Sequence, residues 1–420
     1  MAPIATPVLA EQPARTTPWK PNVQGLTSGQ HEPVFSLLEP YDNFPKQITG
    51  PTVWTREELL ENPSYWKHQW TDELIAEVEE AHAAFEATGK PITAITKDTW
   101  HFGPKVHAFL RDIRASLIDG RGVALLQGLP VDRWSVEKSA AIYVGIGTVF
   151  GYTLSQNGKG HVLGHVKDLG NDPTQIHKVR IYSTAARQFF HADAGDIVGL
   201  LCLHRAKEGG ESDIVSAHNL WNTIQAERPD VAEVLATPNW YFDRKGEQSE
   251  GQNGWVRKAV SAESAGGRGG CLAAHRRRVV VSLTDAHQVF YYYEGHVISH
   301  YDPYFVKSTG RYVEAGLIPA LSEAQTEAIQ VLEDTAQRLA LHMILQVGDI
   351  QLLADTHVFH ARTAFVDHAP PAPRRHLLRL WLSTPVAEGG WKRPFPDSDY
   401  IKRGGIQVNS QVETYPLDGE

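Results

Sequence analysis

The chain has 420 residues, of which 42% are hydrophobic and 21% are charged, so it can bury one large core or two ordinary ones. Its formal net charge of −9 gives it no basic surface, which argues against nucleic acid or an anionic membrane as a general partner. A small-molecule substrate is the expected partner. The composition is also compatible with a homo-oligomer.

The first residues contain no basic segment followed by an apolar core, and no apolar run reaches the roughly 18 residues of a membrane span. The cysteines are Cys202 and Cys271, too few for a disulfide framework and without the paired spacing of a zinc site. We therefore expect a cytoplasmic protein in a reducing compartment that is neither secreted nor anchored in a membrane.

The predicted elements begin with an extended arm over residues 1–50, which are rich in Pro, Thr and Gln and show no helical or strand period. Apolar residues at three- and four-residue steps predict helices over 71–88 and 106–117. The apolar run 123–126 then predicts a buried strand. A helix followed by a buried strand indicates a protein of the α+β class.

The second half of the chain carries most of the strand signals. Apolar and β-branched runs predict strands at 180–182, 197–203, 214–215, 279–283, 289–293 and 350–353. The glycine-rich stretch 264–270 indicates an insertion or lid, which we place near 245–275. A last long helix is predicted from Ser322, because Ser322 and Gln325 fit an N-terminal capping box.

A candidate metal site begins in the segment FFHADAGD, where His191 and Asp193 stand two residues apart. Side chains alternate along a strand, so both should point to the same face. A second histidine, His360, lies in LLADTHVFHARTAF just after the last predicted strand. Two histidines and one carboxylate form a facial triad that leaves three positions open on Fe(II), enough for a bidentate oxo-acid and dioxygen. Zinc also accepts these ligands, so the residues alone leave the metal open.

Other histidines compete for the same role. A second His-x-Asp tripeptide stands at His300 and Asp302, but the proline that follows favours a turn, so these side chains should flank a loop. His357 lies three residues before His360 and should point elsewhere, either behind the ligands or at the surface. His161 and His165 would share a helix face, but the neighbouring glycines favour a loop near the pocket mouth.

Several motifs together resemble the TauD/TfdA family of dioxygenases in their order and spacing. They are FFHADAGD, GGES at 209–212, GDIQLLAD at 348–355, FHAR at 359–362 and RRHLLRLWL at 374–382. The resemblance extends over roughly residues 120–385 and implies a double-stranded β-helix, or jelly roll, with flanking helices. We interpret 51–400 as one such domain and 401–420 as a C-terminal tail.

The resemblance also implies roles for individual residues. The implied iron ligands are His191, Asp193 and His360. Arg375 matches the arginine that grips the distal carboxylate of 2-oxoglutarate, and Ser212 falls where the family places a hydroxyl on the same carboxylate. A planar guanidinium suits such an anion. Arg379, on the same strand face as Arg375, is positioned to contact the cosubstrate or a substrate acid, whereas Arg374 is interpreted as a surface charge.

Two departures from the family pattern bear on these assignments. Asp355 stands where this group often has asparagine, and the proline-rich stretch 369–373 lengthens the segment before the arginine pair. The segment 155–170 resembles a pocket-edge loop in the long fungal and bacterial forms of the family. Its candidates for substrate contact are Gln156, Asn157, His165 and Lys167.

The function implied by the resemblance is that of an Fe(II)- and 2-oxoglutarate-dependent dioxygenase. Such an enzyme uses O2, releases succinate and CO2, and hydroxylates, desaturates or cyclises a small carboxylate- or amino-acid-like substrate. Two alternatives are a jelly-roll ligand or metal binder without turnover, and a zinc-dependent hydrolase that uses the same three ligands. The RRHLLR motif favours the oxygenase, because an arginine that binds the carboxylate of a cosubstrate has no obvious role in a hydrolase.

Overall fold

The computed structural model describes residues 38–244, 288–394, 398–406 and 412–418, together with the backbone of 255–257. Residues 1–37 of the predicted arm, nearly all of the predicted lid, Cys271 and the predicted strand at 279–283 lie outside the described residues. Within the described part, no helix combines the length and the apolar character that crossing a membrane requires.

The helices of the described residues are α1 Arg56–Glu61, α2 Asp72–Glu86, α3 Pro104–Ile118, α4 Val136–Phe150, α5 Ala217–Glu227, α6 Pro229–Ala236, α7 Pro303–Lys307, α8 Gly310–Glu314 and α9 Glu323–Leu339. The strands are β1 Lys67–Gln69, β2 Val123–Gln127, β3 Tyr152–Thr153, β4 Leu163–Val166, β5 Gln188–His191, β6 Ile197–His204, β7 Glu208–Gly209, β8 Ser212–Ser216, β9 Tyr241–Asp243, β10 Trp255–Arg257, β11 Phe290–Tyr293, β12 His296–Ser299, β13 Leu341–Met343, β14 Ile350–Ala354, β15 Val358–Arg362, β16 Phe365–Val366 and β17 His376–Ser383.

Two sheets dominate the part of the chain that the structure describes. The larger has seven strands in the order β1-β2-β14-β6-β17-β3, with β4 paired to the free part of β17. The smaller has four strands in the order β13-β8-β15-β5. The strands that carry both sheets, β6, β14, β17, β8 and β15, pair antiparallel to their neighbours, as strands from distant parts of a chain do in a sandwich.

The two sheets pack face to face. Alternate side chains of β6 and β17, such as Leu200, Leu377 and Trp381, share one apolar cluster with Ile214 of β8 and Val358 of β15. Because successive side chains point to opposite faces, the intervening residues of each strand must be covered from outside. The space between the sheets is therefore the part of the core in which polar side chains from both sheets can meet.

Helices cover both outer faces. Leu378 and Leu380 of β17 cluster with residues of α2, α3 and α4 against the larger sheet. Val215 and Phe359 of the smaller sheet cluster with α5, α6 and α9. The result is a layered order of helices, larger sheet, smaller sheet and helices, which matches the α+β expectation.

Both ends of the described chain lie against this body. In the last part of the predicted arm, the Trp221 indole of α5 donates to the Pro45 carbonyl at 2.9 Å, and the Asn222 amide donates to the Ile48 carbonyl at 2.8 Å. In the tail, Val162 donates its N–H to the Thr414 carbonyl at 2.9 Å.

Several elements agree with the sequence pattern. Thr71 caps α2 by accepting from the Leu74 N–H, and Ser322 and Gln325 form the predicted capping box of α9. The strands predicted at 197–203 and 350–353 are β6 and β14.

One strand expectation was wrong, and the long helix α4 was not predicted. The strand expected at 180–182 is a 3-10 helix over Ile181–Ser183, because the Ser183 hydroxyl and N–H both donate to the Arg180 carbonyl and hold a turn. Helix α4 was not predicted because most of its residues are buried, so it lacks the one-sided apolar stripe that identifies a helix in a sequence.

The contribution of the helix layer can be tested at Leu332, which is fully buried where α9 packs on the smaller sheet. Leu332→Ala should lower the free energy of unfolding by about 2–5 kcal/mol, because the cavity it leaves cannot close fully. Urea denaturation measures this, and Gln330→Ala on the exposed side of α9 should change stability by no more than about 0.5 kcal/mol. Equal effects of the two substitutions would contradict the layer arrangement.

Candidate metal centre

The pairing of β5 with β15 places His191 directly opposite His360. The ring centroids of the two histidines are 4.1 Å apart. Their register then slips, so that Arg362 pairs with Gln188. A bulge of this kind re-aims a side chain, and here it brings the Gln188 amide within 2.9 Å of His191 Nε2.

Asp193 lies beyond the end of β5, so strand alternation does not set its direction. Its carboxylate is nonetheless 3.8 Å from His191 Nε2 and 3.7 Å from His360 Nε2. The Asp193 N–H donates to Asp355 Oδ1 at 3.0 Å, which fixes the backbone at this point. We call residues 192–196 the metal loop, because this anchored loop, and not the strand, presents the carboxylate to both histidines.

Within the described ranges, His191, Asp193 and His360 form the one group of His, Cys, Asp or Glu residues arranged to hold a metal, with ligand atoms within 4.8 Å of one another. All three are buried, and Asp193 Oδ2 has no hydrogen-bond partner. With its proton on Nδ1, His191 donates to the Phe189 carbonyl at 2.9 Å, which leaves Nε2 as the ligand atom. A cation would satisfy these buried groups.

The surrounding charges favour the protonation states that a metal requires. Burial alone would raise the pKa of Asp193, but the positive charge of Arg379, helped by the two histidines, holds it below its usual value. Burial lowers the pKa of His360 to about 3. A charged carboxylate and a neutral imidazole are the forms that bind metal ions.

A cavity beside His360, here called the arginine cavity, is lined by residues of both sheets. They are Val166, Gln188, Leu200, Ser212, Leu345, His360, Ala361, Arg362, Arg375, Leu377 and Arg379. Arg375 is buried and donates to the Gly210 carbonyl at 3.3 Å, while its Nη1 has no partner. Arg362 donates to two backbone carbonyls, Thr184 and Ala186, and its Nε and Nη1 have no partner.

Both guanidinium groups stay charged near neutral pH. Burial lowers the pKa of Arg375 to about 10 and that of Arg362 to about 9, the latter with a further contribution from Arg375. Two buried cations with unused donors in one cavity favour the binding of an anion there.

The predicted hydroxyl and the glycine pair lie next to this cavity. Ser212 lines it and donates to Gln351 Oε1 at 2.9 Å. Gly210 has a φ of +71°, and a Cβ there would lie 2.7 Å from Arg375 Nε. Glycine at this position therefore leaves room for the arginine and permits the left-handed turn.

Arg379 lies between the metal centre and the 155–170 segment. Its Nη1 is 3.4 Å from Asp193 Oδ1, and its Nε donates to Gln156 Oε1 at 2.8 Å. The guanidinium stands 4.6 Å from the Tyr182 ring and 4.7 Å from the Trp381 ring. The Gln156 amide nitrogen donates to two backbone carbonyls, so Gln156 holds Arg379 in place with all of its polar atoms engaged.

The other candidates for substrate contact lie elsewhere. Asn157 accepts backbone N–H groups of its own loop. His165 is in β4, paired with Leu378 on the helix-covered face, and bonds to His376 at 2.7 Å and to the Pro416 carbonyl at 2.8 Å. Neither His165 nor Lys167 is among the described residues that line the arginine cavity.

The competing histidines are also separate from the metal centre. Asp302 caps α7 by accepting from the Tyr304 N–H at 2.7 Å, which agrees with the predicted turn. His357 is buried, and its ring stacks on Trp391 with centroids 4.9 Å apart.

Two residues at the centre, Arg362 and Gln188, were not predicted from the sequence, and neither was the contact that Asp355 makes. Arg362 stands two residues after His360 in β15, so alternation along that strand could have identified it. Gln188 could not have been found this way, because its position depends on the bulge. The contact of Asp355 with the Asp193 N–H depends on tertiary structure.

Comparison with known proteins gives the family. The family described as "Taurine catabolism dioxygenase TauD, TfdA family" matches residues 88–381. FR-33289 synthase from Streptomyces rubellomurinus (strain ATCC 31215) is 28% identical over 367 residues, which cover 86% of this chain and 96% of that protein.

Two solved structures share the fold. Asparagine oxygenase, in complex with Fe(II), 2S,3S-3-hydroxyasparagine and succinate, is 14% identical with a TM-score of 0.52, over 76% of this chain and 93% of that one. The non-heme iron oxygenase OrfP, in complex with Fe, succinate and (3S)-hydroxy-L-Arg, is 12% identical with a TM-score of 0.52, over 81% and 99%. Since the family match spans more than half of the sequence, the chain belongs to the TauD/TfdA family of Fe(II)- and 2-oxoglutarate-dependent dioxygenases.

Proposed function

We propose that His191, Asp193 and His360 hold Fe(II), and that the enzyme oxidises a small carboxylate- or amino-acid-like molecule with release of succinate and CO2. The observation that carries the proposal is the buried Asp193 carboxylate: its partnerless Oδ2 lies 3.7 Å from His360 Nε2, and its Oδ1 lies 3.8 Å from His191 Nε2. When bound there, Fe(II) supplies the open coordination positions at which 2-oxoglutarate and O2 react. The two facing sheets are proposed to form the jelly roll that surrounds this site.

Arg375 is proposed to bind the distal carboxylate of 2-oxoglutarate, with the Ser212 hydroxyl as a second donor once it turns from Gln351 Oε1 toward the carboxylate. The unused Nη1 of Arg375 supports this role, as does the position of both residues on the wall of the arginine cavity. Leu200 and Leu377 give the same cavity apolar, buried walls, which strengthen the attraction between a guanidinium and a carboxylate. Arg362 adds positive charge from the opposite sheet.

Arg379 is proposed to act on the substrate side of the centre. It contacts the Asp193 carboxylate and is held between two aromatic rings, so its position is fixed before a substrate arrives. A substrate carboxylate could share this guanidinium with Asp193. The hydroxylated amino acids named in the asparagine oxygenase and OrfP complexes support hydroxylation of an amino-acid-like molecule as the first reaction to test.

The departure at Asp355 has a physical explanation within this proposal. Burial, together with the nearby negative charge of Asp193, raises the pKa of Asp355 well above its usual value. A raised pKa favours the protonated acid, and Asp355 Oδ1 accepts the Asp193 N–H much as an asparagine side chain would. The two alternatives to an oxygenase lose their support, because the family match extends through both histidine motifs.

The ligand assignment predicts a spectroscopic result. Anaerobic addition of 2-oxoglutarate to the Fe(II)-loaded protein should give a visible metal-to-ligand charge-transfer band, which His191→Ala and His360→Ala should abolish because each removes one of three ligands. His300→Ala should keep the band and serves as the control. A folded, iron-replete wild-type protein without the band would refute the proposed function.

The cosubstrate assignment predicts a difference between adjacent arginines. Arg375→Met should raise the Kd of 2-oxoglutarate by about 10- to 100-fold, because it removes hydrogen bonds to a charged group. Arg374→Met, at an exposed position, should leave the Kd within about twofold of wild type. The same anaerobic titration gives both Kd values. A large effect of the substitution at position 374 alone would mean that Arg374, and not Arg375, binds the cosubstrate.

The raised pKa of Asp355 predicts that the stability of the protein depends on pH. A raised pKa in the folded state means that the folded protein binds the proton more tightly, so its stabilising effect is full below the unfolded value of about 3.9 and is lost as pH rises through the folded pKa. Asp355→Asn should therefore gain stability relative to wild type as pH rises. Urea denaturation of the metal-free proteins measures this, and a difference independent of pH would show that folding does not raise the pKa of Asp355.

A further inference from the structure

The metal loop ends at Asp196, and that aspartate is held on several sides. Its N–H donates to the Leu382 carbonyl of β17 at 2.9 Å, and its Oδ2 accepts from the Thr384 N–H at 2.7 Å. Asp196 is only 4% exposed. A buried carboxylate in this position needs positive charge close by.

Arg393 and Arg403 supply that charge, and both lie C-terminal to the residues that the family model matches. Arg403 binds Asp196 in a bidentate manner, with its Nε 2.9 Å from Oδ2 and its Nη2 2.9 Å from Oδ1. Arg393 donates its Nη2 to Asp196 Oδ1 at 2.6 Å and to the Gly195 carbonyl at 2.9 Å. Arg403 is 2% exposed. The family match ends at residue 381, so both arginines belong to the following segment.

The backbone beside Arg403 touches the same loop. The Gly405 N–H donates to the Ala194 carbonyl at 2.6 Å. Gly404 has a φ of +86°, and a Cβ there would lie 2.5 Å from the Ala194 oxygen. The tail therefore approaches the metal loop so closely that only glycine fits.

A short path connects this contact with the metal ligand. The Asp196 carbonyl accepts from the Asp355 N–H at 3.0 Å, and Asp355 Oδ1 accepts from the Asp193 N–H at 3.0 Å. A shift of Asp196 would therefore move the segment 193–196 at both ends, directly at Asp196 and through Asp355 at Asp193.

We propose that Arg403 and Arg393 are positioning residues, which act through Asp196 to set the direction of the Asp193 carboxylate and so the affinity and geometry of the metal site. Buried ion pairs give little net stability, because desolvation offsets most of their attraction, but a bidentate pair such as that of Arg403 with Asp196 restricts the geometry of both partners. This inference rests on the proposed metal role of Asp193.

The test compares Arg403→Lys and Arg393→Lys with Lys402→Gln, a substitution in the same segment whose side chain pairs with Glu413 at the surface. Lysine keeps the charge but loses the planar fork. Co(II), whose visible absorption reports its coordination, is titrated into each folded protein without cosubstrate. We expect the Co(II) Kd to rise about 10-fold or more, with altered bands, in the two arginine variants, and both to stay at wild-type values in Lys402→Gln.

Wild-type Co(II) affinity and bands in both arginine variants would overturn the inference, even if the variants melt at lower temperature, because the arginines would then be only structural. If Arg403→Lys does not fold, the more peripheral Arg393→Lys decides the question alone. Failure of the proposed function is distinguishable, since wild type would then bind Co(II) no better than His191→Ala.

Discussion

The antiparallel register between β5 and β15 is the constraint on which the rest of the centre depends. It sets His191 opposite His360, and both Nε2 atoms then face a point that a loop after β5 can reach. One residue of slip would send one imidazole into the helix-covered layer, because strand side chains alternate. The bulge within the same pairing puts Gln188 beside His191, so a single irregularity shapes both the metal centre and the arginine cavity.

Positive charge is in excess between the two sheets. Arg362, Arg375 and Arg379 are all buried there. Asp193 contacts Arg379, and Asp367 lies near Arg375, while the raised pKa of Asp355 favours its uncharged form. Burying unmatched cations is costly, and a bound dianion such as 2-oxoglutarate would offset that cost. The empty protein is therefore less stable than it could be, and part of the binding energy of an anion appears as stability of the fold.

Much of this centre could be predicted from the sequence, because it depends on local patterns. The His-x-Asp tripeptide, the distal His360 and the arginine pair each lie in or next to a strand whose apolar run is visible. The direction of Asp193 could not be predicted, since it depends on a hydrogen bond to Asp355. The surroundings of Gln156 and His165 were equally hidden, because their partners come from β17 and the tail. Residues in the 155–170 segment that looked free for a substrate are engaged with the protein itself.

The contact between the tail and the metal loop has a consequence for how the protein matures on the ribosome. Arg403 and Asp196 are 207 residues apart in the chain, and both histidine segments are synthesised before the segment that anchors the loop. Domains fold as their chains emerge, and late segments complete what earlier ones begin. The nascent sandwich would have its imidazoles in register while the carboxylate between them still lacked its final support. Metal loading would then wait until Arg403 and its glycines reach the loop.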